Sequence, residues 1–532
     1  MNVPRKRRPT ALESSSHSTA TGHCVVTAAA AVLLLAACGA PPQTSPPPEK
    51  CLLTTDELHA AMHEDLESIE PAERRFVRYL VLNHLCPDAD PSLGDQGIAD
   101  ANARLDSHRQ GVSKLLNSLS WHPEVTPPTA IADAHGSDTI LRVHLDDYQW
   151  GLSIWNGIAR AYPYAVRHDS AIARAVYRQT GCDIPFVKAD WFAYHVGRPP
   201  MYHDVLGLPA ARQELEAFLG IDVEAGISAQ LDATYPGEHL VLRAGFQQSG
   251  VSGHNRVVER HTIGTYEGAY WLSYDFAGSQ GDQSIFRDPI DFQEDGGEIV
   301  FNLPNGLQAY LLVGADGTTI DCGPLEVVQN DDPRTADPRI VNGFVCGRCH
   351  YEGIILRGDE IRNITESDSG FRTADEANRV FRLYPGSEVV LDYMLDDQNR
   401  NETARARAGA RRVSTRDEEQ IAALARTYEQ PVVLTQVAAD FGMNVDAFRE
   451  LPALTQLRID HGELAQLFSG ERVPVERGLY EGLFRDIACR LGVGTALVHG
   501  DGSDRCAQED AFVECGGIEL EPKRVPAEEI CQ

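Results

Sequence analysis

The sequence EIVFNLPNGLQAYLLVGADGTTID, residues 298–321, contains the clearest strand signals of the chain. Its apolar runs are separated by Pro304-Asn305-Gly306 and Ala315-Asp316-Gly317, which have the composition of hairpin turns. Three antiparallel strands are therefore predicted, at residues 298–303, 307–313 and 318–321.

Helical patterns flank these strands. Between residues 55 and 121 apolar residues recur at helical spacing, and residues 140–321 mix helix and strand signals. The fold class is therefore predicted to be α+β and mainly helical. Three helices are predicted after the strands, at residues 373–384, 387–408 and 416–427.

The motif CGRCH, residues 346–350, follows the hairpins. Two thiols three positions apart can each add to one vinyl group of a haem, and the adjacent His350 can bind the iron as proximal ligand. Cys346, Cys349 and His350 are therefore predicted to hold one covalent haem c. Half of a zinc site, a redox dithiol and an accidental match remain as alternatives, although the sequence offers neither a second Cys/His pair nor a βαβ context.

The second axial ligand of such a haem is less clearly indicated. Met394 is the first candidate, because it follows His350 on a predicted helix and a Met/His pair is one form of haem c ligation. The alternative is that Val390, Met394, Leu391 and Leu395 form an ordinary core stripe at helical spacing. The other possible second axial ligands are Met62, Met201, Met443, His195, His203, His254 and His261.

The N-terminus has the pattern of an export signal. Four basic residues at positions 5–8 precede an apolar stretch, residues 25–37, that is too short to span a bilayer. The tetrad Leu35-Ala36-Ala37-Cys38 resembles the lipobox of bacterial lipoproteins, which implies cleavage before Cys38 and its lipidation. Gly39 in the next position favours the outer membrane, and the five prolines between residues 39 and 50 indicate a stiff tether.

The charge is strongly acidic. The chain has 47 Lys and Arg against 78 Asp and Glu, a formal charge of −31. Without residues 1–37 it has 43 basic and 77 acidic residues, or −34. The negative electrostatic field of such a chain repels nucleic acids, which are polyanions, and attracts a partner protein with a basic docking surface.

Exported cysteines tend to form disulfides. Apart from the signal, the lipidation site and the haem motif, eight cysteines remain, enough for four bridges of unknown connectivity. The last four lie near the C-terminus and predict a Cys-rich appendage. The eight are Cys51, Cys86, Cys182, Cys322, Cys489, Cys506, Cys515 and Cys531.

Several segments together resemble a family. They are FVRY at 76–79, SKLLNSLSW at 113–121, RPP at 198–200, GAYWLSYDF at 268–276 and FNLPNGLQAY at 301–310, followed by the motif. The chain is similar over about residues 70–460 to a group of exported bacterial proteins described only as cytochrome c domain-containing. The resemblance implies haem c on Cys346, Cys349 and His350, and it implies no substrate.

The resemblance also implies that the hairpins before the motif belong with the haem. A short cytochrome segment cannot cover a porphyrin by itself, and Trp271, Tyr274 and Phe276 are candidates to line such a cover. The predicted division is a signal peptide (1–37), a Pro-rich tether (38–50), an α+β domain of unknown role (51–297), a cytochrome c-like haem region with its hairpins (298–470) and a Cys-rich appendage (471–532).

The expected function is electron transfer by a haem c lipoprotein on the periplasmic side of the cell envelope, with the outer membrane slightly favoured. The first alternative is a haem enzyme, peroxidase- or oxidase-like, in which the iron keeps an open distal site. The second is a binding lipoprotein without haem. Hydrolase, NTPase and dehydrogenase motifs are not recognisable in the sequence.

Overall fold

A computed structural model describes residues 51–87, 93–232, 239–249, 251–330, 338–367, 372–460, 462–467 and 473–496. The predicted signal peptide, Cys38 and the tether lie outside these ranges, as do residues 497–532 of the predicted appendage. Within them the mixture of helices and sheets is confirmed, with helix more abundant. No helix in these ranges is long and apolar enough to cross a membrane.

The helices are α1 (Thr55–Glu67), α2 (Gly94–Ser118), α3 (Leu152–Ala161), α4 (Ala171–Thr180), α5 (Ala189–Val196), α6 (Met201–Leu206), α7 (Arg212–Leu219), α8 (Val223–Asp232), α9 (Phe344–Cys349), α10 (Ile361–Ser367), α11 (Ala374–Leu383), α12 (Ser387–Arg407), α13 (Gln420–Glu429), α14 (Leu434–Asp440), α15 (Val445–Arg449), α16 (Ala453–Asp460) and α17 (Arg477–Leu491).

The strands are β1 (Val77–Val81), β2 (Thr129–Ala130), β3 (Ile140–His144), β4 (Val166–Arg167), β5 (Phe186–Lys188), β6 (Val241–Phe246), β7 (Arg256–Thr262), β8 (Ala269–Asp275), β9 (Gly296–Asn302), β10 (Gln308–Gly314), β11 (Thr319–Ile320) and β12 (Thr495–Ala496). They form a four-stranded sheet, β2-β3-β1-β5, a six-stranded sheet, β11-β10-β9-β8-β7-β6, and the pair β12-β4.

The six-stranded sheet is an antiparallel meander that contains the predicted hairpins. Strands β9 and β10 pair from Gln308 opposite Asn302 to Gly314 opposite Gly296. The turn between them includes Gly306, whose φ of 92° is a conformation that favours glycine. The predicted boundary between residues 297 and 298 falls inside β9.

Both faces of this sheet are buried. Alternate residues point to opposite faces of a strand, and the two sets belong to two different hydrophobic clusters. Residues of the main core on the first face include Val257, Tyr270, Leu272, Ile299, Phe301 and Leu311. Residues of the second cluster include Leu242, Trp271, Val300, Tyr310 and Leu312 from the sheet, Cys346 from α9, and Val390 and Met394 from α12.

Residues 77–81 are a strand rather than part of the helical pattern expected for residues 55–121. Strand β1 pairs antiparallel with β3 and parallel with β5, and all five of its residues are buried. A strand that is buried on both faces lacks alternation, so periodicity alone cannot separate it from a buried helix.

The three helices predicted after the motif are confirmed as α11, α12 and α13. Helix α11 begins with a capping box, in which the Thr373 hydroxyl accepts from the N–H of Glu376 and the Glu376 carboxylate accepts from the N–H of Thr373. Helix α13 begins at Gln420, four residues later than predicted, because Glu419 caps it by accepting from two backbone N–H groups.

One disulfide lies wholly within the described ranges and joins Cys51 to Cys86, with Cα atoms 5.6 Å apart. It links the start of α1 to the segment after β1. Three further cysteines, Cys182, Cys322 and Cys489, are also disulfide-bonded.

Two buried histidines predict acid sensitivity of the fold. Burial lowers the pKa of His59 to about 4, with a smaller contribution from His168, and burial likewise lowers the pKa of His108 to about 4. Below the unfolded-state pKa near 6.5 the unfolded chain binds protons that the native chain does not. Stability is therefore full above pH 6.5 and falls as the pH drops towards 4, by on the order of 3 kcal/mol for each histidine.

Urea unfolding between pH 7.5 and pH 5 measures this loss. The double variant His59→Gln, His108→Gln should show a shallower decline over the same range, whereas replacement of the surface residue His135 should leave the slope unchanged. An equal slope in all three proteins would contradict the assignment.

Candidate haem site

Helix α9 carries both cysteines of the motif and ends immediately before His350. The three-residue spacing places Cys346 and Cys349 on the same side of the helix. Gly343, just before the helix, has a φ of 77°, and a Cβ there would lie 2.9 Å from Cγ of Tyr202. The close approach of α6 therefore fixes where the motif helix begins.

The second face of the six-stranded sheet lies against the motif. The Tyr310 ring on β10 is centred 5.7 Å from the His350 ring, and Oε2 of Glu298 on β9 lies 3.6 Å from Nε2 of His350. The Tyr202 hydroxyl accepts from the N–H of Tyr310 at 2.9 Å and donates to its carbonyl at 3.2 Å. The hairpin β9–β10 is thus packed against the motif, as the sequence analysis expects.

The His350 ring has a defined orientation. Nδ1 lies 3.0 Å from the carbonyl oxygen of Gly353, and since a carbonyl only accepts, Nδ1 is the donor. Such a bond to a backbone carbonyl is the usual way in which a metal-binding histidine is oriented. Nε2 is then the atom that can bind iron.

A largely buried carboxylate lies beside that atom. Burial alone would raise the pKa of Glu298, but the neighbouring His350 and, less strongly, Arg256 lower it to about 2. Arg256 in turn forms an ion pair with Asp275 on the adjacent strand β8. The sheet thus places three charged side chains, Glu298, Arg256 and Asp275, on the Nε2 side of His350.

The Cys346 thiol is protected from solvent and from reagents by burial. It is 2 % exposed, and burial, followed by the charge of Glu298, raises its pKa well above the usual range. Reactive redox dithiols have lowered pKa values instead, so this environment disfavours the dithiol alternative. No cluster of three or more His, Cys, Asp or Glu side chains suited to a metal ion occurs among the described residues.

Three cavities border the side chain of His350. The first, about 70 Å³, lies along Glu298, Cys346 and Cys349. The second, about 50 Å³, lies beside Tyr310. The third, about 80 Å³, is mainly apolar and contains Met394 in its wall. His350 is therefore accessible from several sides within the protein interior.

These residues fit a haem on two conditions. Each cavity is smaller than the roughly 300 Å³ of a typical cofactor site, and the three together, about 200 Å³, are still smaller, so a porphyrin would need all three and additional space freed by side chains that move. Glu298, whose Oε2 lies 3.6 Å from Nε2 of His350, would have to turn aside. The thiols, the ring nitrogen and the apolar walls are otherwise of the kinds that hold haem c.

Met394 lies in the wall of the third cavity together with His350. It is 2 % exposed, belongs to the second cluster with Val390, and its sulfur accepts from the N–H of Arg357 at 3.4 Å. This position agrees with both sequence readings, axial ligand and core residue. Met62 is a core residue of another cluster, and Met201 and Met443 pack against the main core.

The four candidate distal histidines lie elsewhere. Within the described part of the chain, none of them lines a cavity that borders His350. The side-chain amide of Asn342 donates a hydrogen bond to Nε2 of His203. Nε2 of His261 is hydrogen-bonded to Oε1 of Glu259, with 2.7 Å between the two atoms. His195 packs against Trp191, with ring centroids 5.2 Å apart, while His254 lies in the loop before β7.

The aromatic residues expected to cover the haem are divided between the two faces of β8. Trp271 lines the third cavity, whereas Tyr274 and Phe276 belong to the main core. The last two are therefore core residues, which is the more usual role of clustered aromatic side chains.

Sequence reasoning missed Glu298, Arg256 and Asp275. Glu298 is the single charged residue on its face of β9, and Arg256 and Asp275 are charged residues at the ends of the buried strands β7 and β8; a charge within or at the end of a buried strand is the available signal.

Comparison with known proteins adds nothing to this geometry. No protein-family model, no curated protein and no solved structure matches the chain.

The protected thiol gives a direct test of the site in the haem-free, folded chain. Cys346 should react with iodoacetamide at pH 8 at least tenfold more slowly than in the urea-unfolded chain, because its thiol is buried and its pKa is raised. Mass spectrometry of the peptide measures the rate.

Glu298→Gln should speed the reaction, since it removes the negative charge beside the sulfur. Glu352→Gln, a charge change on the surface near the motif, is the matched control and should have no effect. Equal rates in folded and unfolded protein would show that the thiol is not protected.

Proposed function

We propose that this protein is a membrane-anchored c-type cytochrome that carries one covalent haem and transfers electrons in the bacterial cell envelope. The observation that supports this best is the orientation of His350. Its Nδ1 donates to the Gly353 carbonyl, which leaves Nε2 to bind a metal, and the residue lines cavities whose walls include both motif cysteines and Met394.

Each residue then has a role. Cys346 and Cys349 form the thioether bonds, His350 binds the iron, and Met394 is the candidate for the other axial position. Arg357, exposed at the third cavity and without an ion pair among the described residues, could neutralise a propionate. The haem supplies one-electron redox chemistry, and the chain's residues fix its position and shield it from water.

The rest of the proposal comes from the sequence. Lipidation of Cys38 would hold the protein at the periplasmic side of a membrane, with the outer membrane favoured. The net negative charge would attract a redox partner with a basic surface, because opposite charges speed the encounter of two proteins.

A second candidate function is favoured by one observation. Glu298 and Arg256 line the third cavity beside Nε2 of His350. The Arg256 guanidinium can stabilise negative charge, as a peroxidase- or oxidase-like haem enzyme needs. Glu298 would exchange a proton there only if haem binding separated it from His350, the main cause of its lowered pKa. This candidate requires an open iron coordination position.

Replacing both motif cysteines tests the haem itself. The double variant Cys346→Ala, Cys349→Ala, expressed with haem-maturation machinery, should be exported but should carry no haem that survives acid-acetone extraction. The reason is that both thioether bonds are lost while the fold keeps its other contacts.

Gly347→Ala is the matched control within the motif. A Cβ there meets only the Tyr310 ring, at 3.5 Å, so the cysteine spacing and covalent haem should be retained. Haem that resists extraction in the double variant would overturn the proposal.

Met394→Ala tests the axial ligand. If the Met394 sulfur binds iron, its loss should open the iron to carbon monoxide and lower the reduction potential by tenths of a volt, on the roughly 0.8 V scale that axial ligands control. Absorption spectra with carbon monoxide and a redox titration measure both effects.

Val390→Ala removes a neighbouring buried side chain from the same helix and should change neither property. Identical behaviour of the two variants would assign Met394 to the core alone. Binding of carbon monoxide by the unmodified protein would instead favour the haem enzyme.

A further inference from the structure

The segment between Gly353 and Gly358 runs alongside α12. A Cβ at Gly353 would lie 3.2 Å from Nδ2 of Asn401, and one at Gly358 would lie 3.0 Å from Oγ of Ser387. Between these points the N–H of Arg357 donates to the sulfur of Met394. The segment and the first three turns of the helix therefore form one continuous surface.

This surface exposes apolar side chains. Ile355 is 51 % exposed, Leu356 39 % and Leu395 40 %, and these are three of the eight large apolar side chains that are exposed among the described residues. Leu391, one turn before Leu395, is half-buried. Exposed apolar residues that cluster in this way mark interaction sites, whereas isolated ones do not.

Acidic residues of α12 flank the apolar cluster on one side, and Arg357, next to Leu356, is an exposed cation of the neighbouring segment. Glu388 and Asp392 are exposed one turn apart, and Asp396 follows. The helix contains no Lys or Arg before Arg400. The one other acidic residue in this part, Asp397, is buried in an ion pair with Arg260.

The surface lies directly above the candidate haem site. Met394, between Leu391 and Leu395 on the same helix, lines the third cavity, and Ile355 lines two cavities together with His350. An electron carrier docked here would lie against the helix that carries Met394 and against Ile355, both of which line a cavity shared with His350. Remote surfaces of the chain would leave it separated from the haem by the sheet and the main core.

We infer that the surface formed by Ile355, Leu356, Leu391 and Leu395, with Glu388 and Asp392 at its rim, is the docking site of a redox protein. The inference rests on the proposed electron-transfer function. The partner it fits has an apolar centre surrounded by lysines or arginines, because the rim charges attract such a ring and the leucines bury against the centre.

The probe is a small basic c-type cytochrome with a lysine-rich haem edge. Its dissociation constant at low ionic strength is measured by calorimetry, which needs no haem in this chain. The second-order rate of electron transfer from the reduced, haem-loaded protein is measured by stopped flow between 10 and about 500 mM salt, a range over which the charges become screened.

Charge reversal by Glu388→Lys and Asp392→Lys should weaken binding at least tenfold, slow electron transfer by a similar factor and flatten its salt dependence. Leu395→Gln should weaken binding several-fold and leave the salt dependence unchanged. Asp95→Lys with Asp100→Lys, the same charge change on exposed positions of α2, is the matched control and should have little effect.

The outcomes separate the two proposals. Loss of binding with the α12 variants, but no electron transfer by the unmodified protein, would support the docking site and count against the proposed function. Normal binding and rates in the α12 variants, or equal losses in the α2 control, would overturn the docking site even if the haem proved to be present.

Discussion

The burial of the six-stranded sheet on both faces is the constraint on which the rest of the structure depends. The residues on one face of the sheet pack into the main core, so the alternate residues of the same strands must pack against another element of the structure. That partner is the motif helix α9 together with α12. The sheet thus brings β9, β10 and the CGRCH motif together, although the motif follows β10 by more than thirty residues of chain.

The position of the motif is also set from the N-terminal side. The Tyr202 hydroxyl bonds to both backbone groups of Tyr310, and its ring lies against Gly343 at the start of α9. These contacts connect residues far apart in the chain, so the candidate site is built by the whole described fold. A segment beginning at residue 298 would lack the side chains that hold α9 in place.

Local signals predict this fold where they are strong. The turn around Asn305-Gly306 identifies the β9–β10 hairpin, and the helical pattern over residues 373–384 identifies α11. Strand β1 was missed, because burial on both faces removes the alternation that reveals a strand. The motif residues are visible in the sequence through their spacing. Glu298 is not, since its role comes only from the register that places it beside His350.

The near-complete burial of Cys346 has a consequence for the biogenesis of the protein. A thiol that is 2 % exposed, between α9 and a closed sheet, is out of reach of any attachment enzyme in the finished fold. If haem is joined to this chain, the bond must form while the polypeptide is still open, before β9 and β10 settle against the motif.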